Sequence, residues 1–205
     1  MGAVNTQINN ILDGFIGELS PIQDCCKKYI KYNSNLGRDN SIRIGYNPSI
    51  APEHYSIKIY ESVMQRWIYK FQEKNKIDIP EIYQNMLLKM NGCFIFNMAL
   101  CGLQPHIYSE NKNVFRPQCL GLDSANNMWK KKYKTNIQGF HFGGRMQNGD
   151  ENIGYFMADD KIYSILTSGK TVNEYSNFTD FLRTEIELTE EDYFLENKLA
   201  PLSVG

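Results

Sequence analysis

The chain has 205 residues, 42% of them hydrophobic and 13% aromatic, with a formal net charge of −1. That is enough apolar material for the core of one domain with an extension, and it excludes global disorder. No stretch approaches the roughly 18 consecutive apolar residues of a membrane helix, and no basic run followed by a long apolar block opens the chain as a secretory signal would, so a cytoplasmic protein without membrane contact is expected.

Taken in chain order, Ile8, Ile11, Leu12, Phe15, Ile16 and Leu19 recur at helical spacing and predict a first helix. Ser20-Pro21 opens a second, on which Ile22, Cys25, Cys26, Tyr29 and Ile30 share a face. Residues 33–40 read as a loop, and Ile42, Ile44 and Tyr46 alternate as in a short strand. The stripe Ile59, Tyr60, Val63, Met64, Trp67, Ile68 and Phe71 predicts a longer helix. Pro80 suits the start of another, carrying Tyr83, Met86, Leu87 and Met90 and stopped by Asn91-Gly92. Residues 93–100 are an apolar run of strand length, and residues 123–129 suit a short helix. Residues 153–157 and 162–166, joined by Ala158-Asp159-Asp160-Lys161, have the signature of a hairpin. Ser176 or Asn177 caps a last helix carrying Phe178, Phe181, Leu182 and Ile186. The order of elements predicts an α+β fold with a mainly antiparallel sheet packed by helices. It divides into an N-terminal helical extension over residues 1–54, a domain over 55–190 and an acidic, polar tail over 191–205.

The residues with reactive side chains are scattered. Five cysteines without a Cys-x-x-Cys pair make a poor disulfide framework, and His54, His106 and His141 stand far apart. No metal, cofactor or catalytic centre is expected, and the chain is not read as an enzyme. Gly143-Gly144-Arg145-Met146-Gln147-Asn148-Gly149 lacks the Lys-Ser/Thr of a phosphate loop and reads as a loop between strands. His141, between Phe140 and Phe142, reads as a strand residue with a satisfied ring. Trp129-Lys130-Lys131-Lys132-Tyr133-Lys134 interleaves aromatics with cations as nucleic-acid surfaces do, and equally suits an ordinary solvated segment. Charge is segregated: residues 111–145 hold seven cations and one acid, residues 171–205 eight acids and two cations. Such asymmetry marks either partner surfaces or mutual neutralisation.

One ordered series of residues resembles a known family. It runs through Phe71-Gln72-Glu73-Lys74, Ile79-Pro80-Glu81-Ile82-Tyr83, Leu87-Leu88-Lys89-Met90-Asn91-Gly92, Gly149-Asp150, the 153–166 hairpin and Asn177-Phe178-Thr179-Asp180-Phe181-Leu182. This is similar to the SUKH superfamily, which includes a yeast cell-wall synthesis regulator and many bacterial immunity proteins. The resemblance covers residues 55 to 188. It departs from the family pattern at Phe140-His141-Phe142-Gly143, where an apolar-alanine step is usual. It implies a SUKH-like α+β domain and a binding role: an immunity protein that neutralises a cognate toxin, a nuclease or another toxin acting on nucleic acid. A regulatory protein-binding scaffold is the alternative, and a nucleic-acid binder a weaker one. An acidic, aromatic-lined surface suits a basic partner, and its candidates are Asp150, Glu151, Asp159, Asp160, Glu174 and Tyr175.

Overall fold

Alternating burial along short segments builds a nine-stranded sheet. Its strands are β1 (Asn35–Leu36), β2 (Ile42–Tyr46), β3 (Tyr55–Ile59), β4 (Cys93–Ile95), β5 (Met98–Leu100), β6 (Phe140–Gln147), β7 (Glu151–Ala158), β8 (Lys161–Leu166) and β9 (Thr171–Tyr175). They lie in sequence order and every neighbouring pair is antiparallel. Six α-helices accompany the sheet among the residues that the computed structural model describes, which are 2–48, 50–51, 54–104, 120–147 and 151–196. They are α1 (Gly2–Leu12), α2 (Ser20–Tyr29), α3 (Gln65–Asn75), α4 (Glu81–Leu87), α5 (Leu122–Lys132) and α6 (Phe178–Glu196). The protein is therefore α+β with an antiparallel sheet, as the order of elements predicts. None of its described helices is long and apolar enough to cross a membrane.

The sheet has two unlike faces. On the inner face, side chains from β2 to β9 join those of α1, α2, α3, α4 and α6 in one continuous core. The outer face carries a smaller cluster of Trp129, Tyr133, Phe156 and Ile165 under α5. Residues 1–54, expected as an extension, instead supply β1 and β2 to the common sheet, and Ile8, Leu12, Ile22 and Tyr29 to the common core.

Three further expectations are corrected. The helix read from Ile59 begins at Gln65, because Ile57 and Ile59 pair with Ile95 and Cys93 of β4 in mid-sheet. The period-2 alternation of residues 55–59 overrides the helical spacing that starts at Ile59. The run 93–100 is two strands joined at Phe96-Asn97. The glycine-rich stretch is strand β6 through Gln147 rather than a loop. Glycine is tolerated in that strand for want of room: a Cβ on Gly143 would lie 2.4 Å from the Ala99 carbonyl oxygen, and one on Gly144 2.4 Å from that of Ile153.

Helix α6 also runs beyond the expected tail boundary, to Glu196. Asn177 Oδ1 accepts the Asp180 backbone N–H at 2.8 Å, the N-cap bond expected there. At the far end Tyr193 and Phe194 are buried against Phe96, with ring centroids 5.1 and 6.1 Å away. Residues 197–205 lie outside the described residues.

The strongest polar anchor is Glu185, which is 0% exposed. Its Oε1 accepts from the Ser164 hydroxyl at 2.6 Å and the Tyr175 hydroxyl at 2.7 Å. Its Oε2 accepts from Arg145 Nε at 2.8 Å and the Tyr155 hydroxyl at 2.9 Å. Arg145 Nη1 reaches on to Asp192 at 3.1 Å. Burial alone would push the Glu185 carboxyl up; the Ser164 and Tyr175 bonds and the Arg145 charge outweigh it and hold it below the ordinary range.

Because the folded carboxyl is held low, its contribution to stability is present above the unfolded value and lost as pH falls through the folded one. Glu185→Gln should cost about 3–5 kcal/mol near neutral pH by leaving Arg145 half-paired. The gap from the parent should narrow on acidification. Urea unfolding of both proteins across an acid series measures it, and a gap that does not change with pH would contradict the assignment.

Candidate functional site

The six acidic-surface candidates do not form one patch. Asp159 and Asp160 are the two central residues of the β7–β8 turn, flanked by the paired Ala158 and Lys161. Both are exposed and both take left-handed φ, 50° and 57°. That is a type I′ turn, in which Asn-Gly is the preferred pair. Asp tolerates left-handed backbone better than most side chains but less well than Gly. The two aspartates line a cleft of about 570 Å³, together with Glu18 and the residues that open α6. Glu174 is exposed on β9 and holds Lys161 at 2.5 Å.

Tyr175 belongs elsewhere. It is 9% exposed, and its hydroxyl is committed to Glu185. Inward alternation on β9 places it in the core, so it is not a surface residue. Glu151 starts β7 at the end opposite the Asp159–Asp160 turn. Seven residue steps separate Glu151 from Ala158, roughly 23 Å at strand rise. The Glu151 side chain and Asp150 lie outside the described residues.

The segment Trp129–Lys134 is not a stacking platform. Trp129 and Tyr133 are buried beneath α5, with ring centroids 5.3 and 5.4 Å from that of Phe156. Lys131, Lys132 and Lys134 are exposed, but the rings between them are unavailable to bases.

A second cleft, which the sequence reading did not find, lies between α5 and the outer face of β5 to β7. Its volume is about 490 Å³. Ala99 and Gly144, paired across β5 and β6, give it a floor with almost no side chains. Phe94, Trp129 and Tyr133 line it, and so do three exposed apolar side chains: Leu120, Met128 and Met146. The helix is clamped to the sheet here. Asn126 Oδ1 accepts the His141 backbone N–H at 2.9 Å, while its Nδ2 donates to the His141 carbonyl at 2.8 Å.

His141 lines this cleft and is 9% exposed. Its ring stacks on Phe156 at 4.6 Å, and Nδ1 lies 3.1 Å from the Ala125 carbonyl. A carbonyl only accepts, so Nδ1 carries the proton and Nε2 is a bare acceptor. Nε2 is buried with no hydrogen-bond partner among the described residues. The expectation of a satisfied ring is met on one nitrogen only. A signal for this wall was present in the four-residue interval of Ala125, Trp129 and Tyr133 on α5, though not for the glycine floor opposite it.

Burial pushes the His141 imidazole down to about 4, against the Ala125 and Gly143 backbone bonds that favour its protonated form. The ring should stay neutral in NMR titrations until near that pH. Since its folded value is depressed, His141 adds stability above the unfolded value of 6.5 that is lost as pH falls towards 4. His141→Phe should flatten stability against pH in that window, and an NMR midpoint near 6.5 would contradict the burial. Compared with known proteins, the chain matches no family model, no curated protein and no solved structure.

Proposed function

We propose that the protein works by binding another protein, as an immunity protein of SUKH-like type that neutralises a basic, nucleic-acid-acting toxin. The observation that carries this reading is the Asp159–Asp160 turn. Two exposed carboxylates stand at positions where the backbone favours Asn-Gly, beside a cleft that Glu18 also lines. The cation next in sequence, Lys161, is engaged by Glu174. The resemblance of residues 55–188 to the superfamily supports the same reading. Carboxylates at a projecting turn speed encounter with a basic partner, and contacts that lose water on docking set the lifetime of the complex. The docking surface is thus the β7–β8 turn with the start of α6; Tyr175, held inside, contributes rigidity.

The turn offers a test in which folding and binding move in opposite directions. Asp159→Asn combined with Asp160→Gly installs the preferred I′ pair, so thermal stability should hold or rise. Both charges are lost, and affinity for the partner should fall by at least roughly tenfold, about 1.4 kcal/mol. The assay co-produces the protein with the product of the neighbouring gene and follows growth and complex formation. If the double variant protects as well as the parent does, the turn is not the docking site. If neither protein protects or binds, the immunity reading fails.

A further inference from the structure

We propose that the trough between α5 and the outer face of β5 and β6 binds an amphiphilic carboxylate, an apolar chain ending in one carboxyl group, with the chain along the strands and the carboxylate paired with Lys132. This site is separate from the Asp159–Asp160 turn and does not rest on the partner proposed for it.

The register of the sheet dictates the shape. Phe94, Ala99, Gly144 and Gly154 stand directly opposite one another on β4, β5, β6 and β7. Neighbouring strands lie about 4.8 Å apart, so this row is roughly 14 Å wide. A large ring stands at each end of it. Phe94 closes one end. At the other, Tyr133 of α5 lies over Gly154, where a Cβ would come within 2.6 Å of its ring. Between the two rings the row holds nothing larger than the Ala99 methyl. The result is a trough two strands wide that runs along the strands. It belongs to the cleft of about 490 Å³, within the range of roughly 300–1,000 Å³ typical of small-molecule sites.

The lining has an apolar end and a cationic end. Leu120, Ser124, Met128 and Lys132 line the cleft at four-residue spacing, so one ridge along α5 forms its wall. Leu120 is 49% exposed, and Met128 and Met146 are each 62% exposed. Apolar side chains gathered in a concave site mark a surface that is covered in use, and thioethers adapt their shape to a flexible chain. The far end selects the head group. The Lys134 N–H bonds the Thr167 carbonyl and the Thr167 N–H bonds that of Asn152, so the last turn of α5 stands beside Asn152, which also lines the cleft. Lys132 is exposed there, with its Nζ 5.4 Å from the Tyr133 ring centroid. It makes no ion pair among the described residues. No carboxylate lines the cleft, and the guanidinium of Arg145, its other charged residue, is committed to Glu185 and Asp192. An unneutralised cation beside an apolar trough attracts an anion and repels a cation. One cation balances one negative charge, which suits a carboxylate better than a phosphate monoester carrying about −1.5 to −2.

The test uses the unaltered full chain and probes that share one unbranched chain and differ in head-group charge: decanoate, decan-1-ol and decyltrimethylammonium, each below its micelle concentration. Butanoate keeps the carboxylate and shortens the chain. Binding is followed by two-dimensional NMR, reading the amides of Ala99 and Gly144 and the methyl groups of Met128 and Met146. Decanoate should perturb these signals saturably and bind at least about threefold more tightly than decan-1-ol, the scale of one exposed ion pair. Decyltrimethylammonium should bind most weakly of the three, and butanoate should give no saturable shift over the same range. Lys132→Gln should leave the melting temperature unchanged and bring decanoate to the affinity of decan-1-ol. Equal affinity of the parent for decanoate and decyltrimethylammonium overturns the proposal. So does butanoate binding as tightly as decanoate, which is mere ion pairing at a surface lysine. Saturable shifts confined to residues outside the trough, or none at all, overturn it too. Because the probe comparison needs no substitution, a variant that fails to fold leaves the test intact.

Discussion

A single carboxylate, that of Glu185, ties the longest helix to four strands at once. Its partners come from β6 (Arg145), β7 (Tyr155), β8 (Ser164) and β9 (Tyr175). Removing a carboxylate from water costs several kcal/mol, and the attraction of one cation repays that only if the remaining lone pairs are also satisfied. Here each oxygen accepts two bonds, so the penalty is met by geometry rather than by charge alone. Burial and the Glu185 charge push the Tyr155 phenol up, and burial with the Glu185 hydrogen bond does the same for Tyr175. Both therefore remain donors across the physiological range. The arrangement fixes the register of α6 against the sheet, because sliding by one helical turn would bury an unpaired charge. Everything that α6 positions follows from this, including the Asn177 cap near the acidic turn and the Tyr193–Phe194 pair packed on Phe96.

Much of this core is legible in the sequence, and what is not has definite physical causes. The strands at residues 42–46 and 153–166 and the Asn177 cap of α6 follow from periodicity and local hydrogen bonding, whereas α2 has Leu19 rather than Ser20 at its cap position and no side-chain cap bond. Strand β3 is hidden because Ile59 belongs both to its own alternation and to a helical stripe that runs on to Phe71. Only pairing with β2 and β4, which are distant in sequence, decides between them. Strand β6 is hidden because glycines show no face, and its two glycines exist for backbone contact with neighbouring strands. Glu185 was detectable in principle: it occupies a position in the apolar stripe Phe178, Phe181, Leu182, Ile186, Thr189, Tyr193. An acid placed there must be paired, though the stripe does not name its partners.

The candidate sites divide in the same way. The exposed turn carboxylates are readable because a turn between two strands has nowhere to go but outward. Tyr175 defeats that reasoning, since it adjoins exposed Glu174 yet points inward by strand alternation. The outer-face cleft combines residues from 94 to 153, brought together by the order of strands and by the Asn126 clamp. No local pattern encodes that convergence. Its buried imidazole, His141, stands in the sequence as a histidine between two phenylalanines. Those neighbours face the core, which forces the imidazole onto the other side of the sheet under α5.

The β4–β5 and β7–β8 hairpin turns both place side chains where glycine is preferred, and their difference bears on the proposed function. Phe96 takes φ 51° in the β4–β5 turn, an unfavourable conformation for an aromatic residue. The fold compensates: its ring meets Tyr29 edge-on at 5.3 Å and packs with Tyr193 and Phe194, joining α2 and α6 across the turn. The strain there supports packing. At the β7–β8 turn the same backbone demand falls on Asp159 and Asp160, and both side chains point to water. No burial offsets the choice, and a pair of neighbouring carboxylates adds mutual repulsion. Local rules broken without a structural return are where natural sequences keep function. By that argument the turn, rather than the buried tyrosine beside it or the distant start of β7, is the part of the acidic surface that best supports the proposed docking.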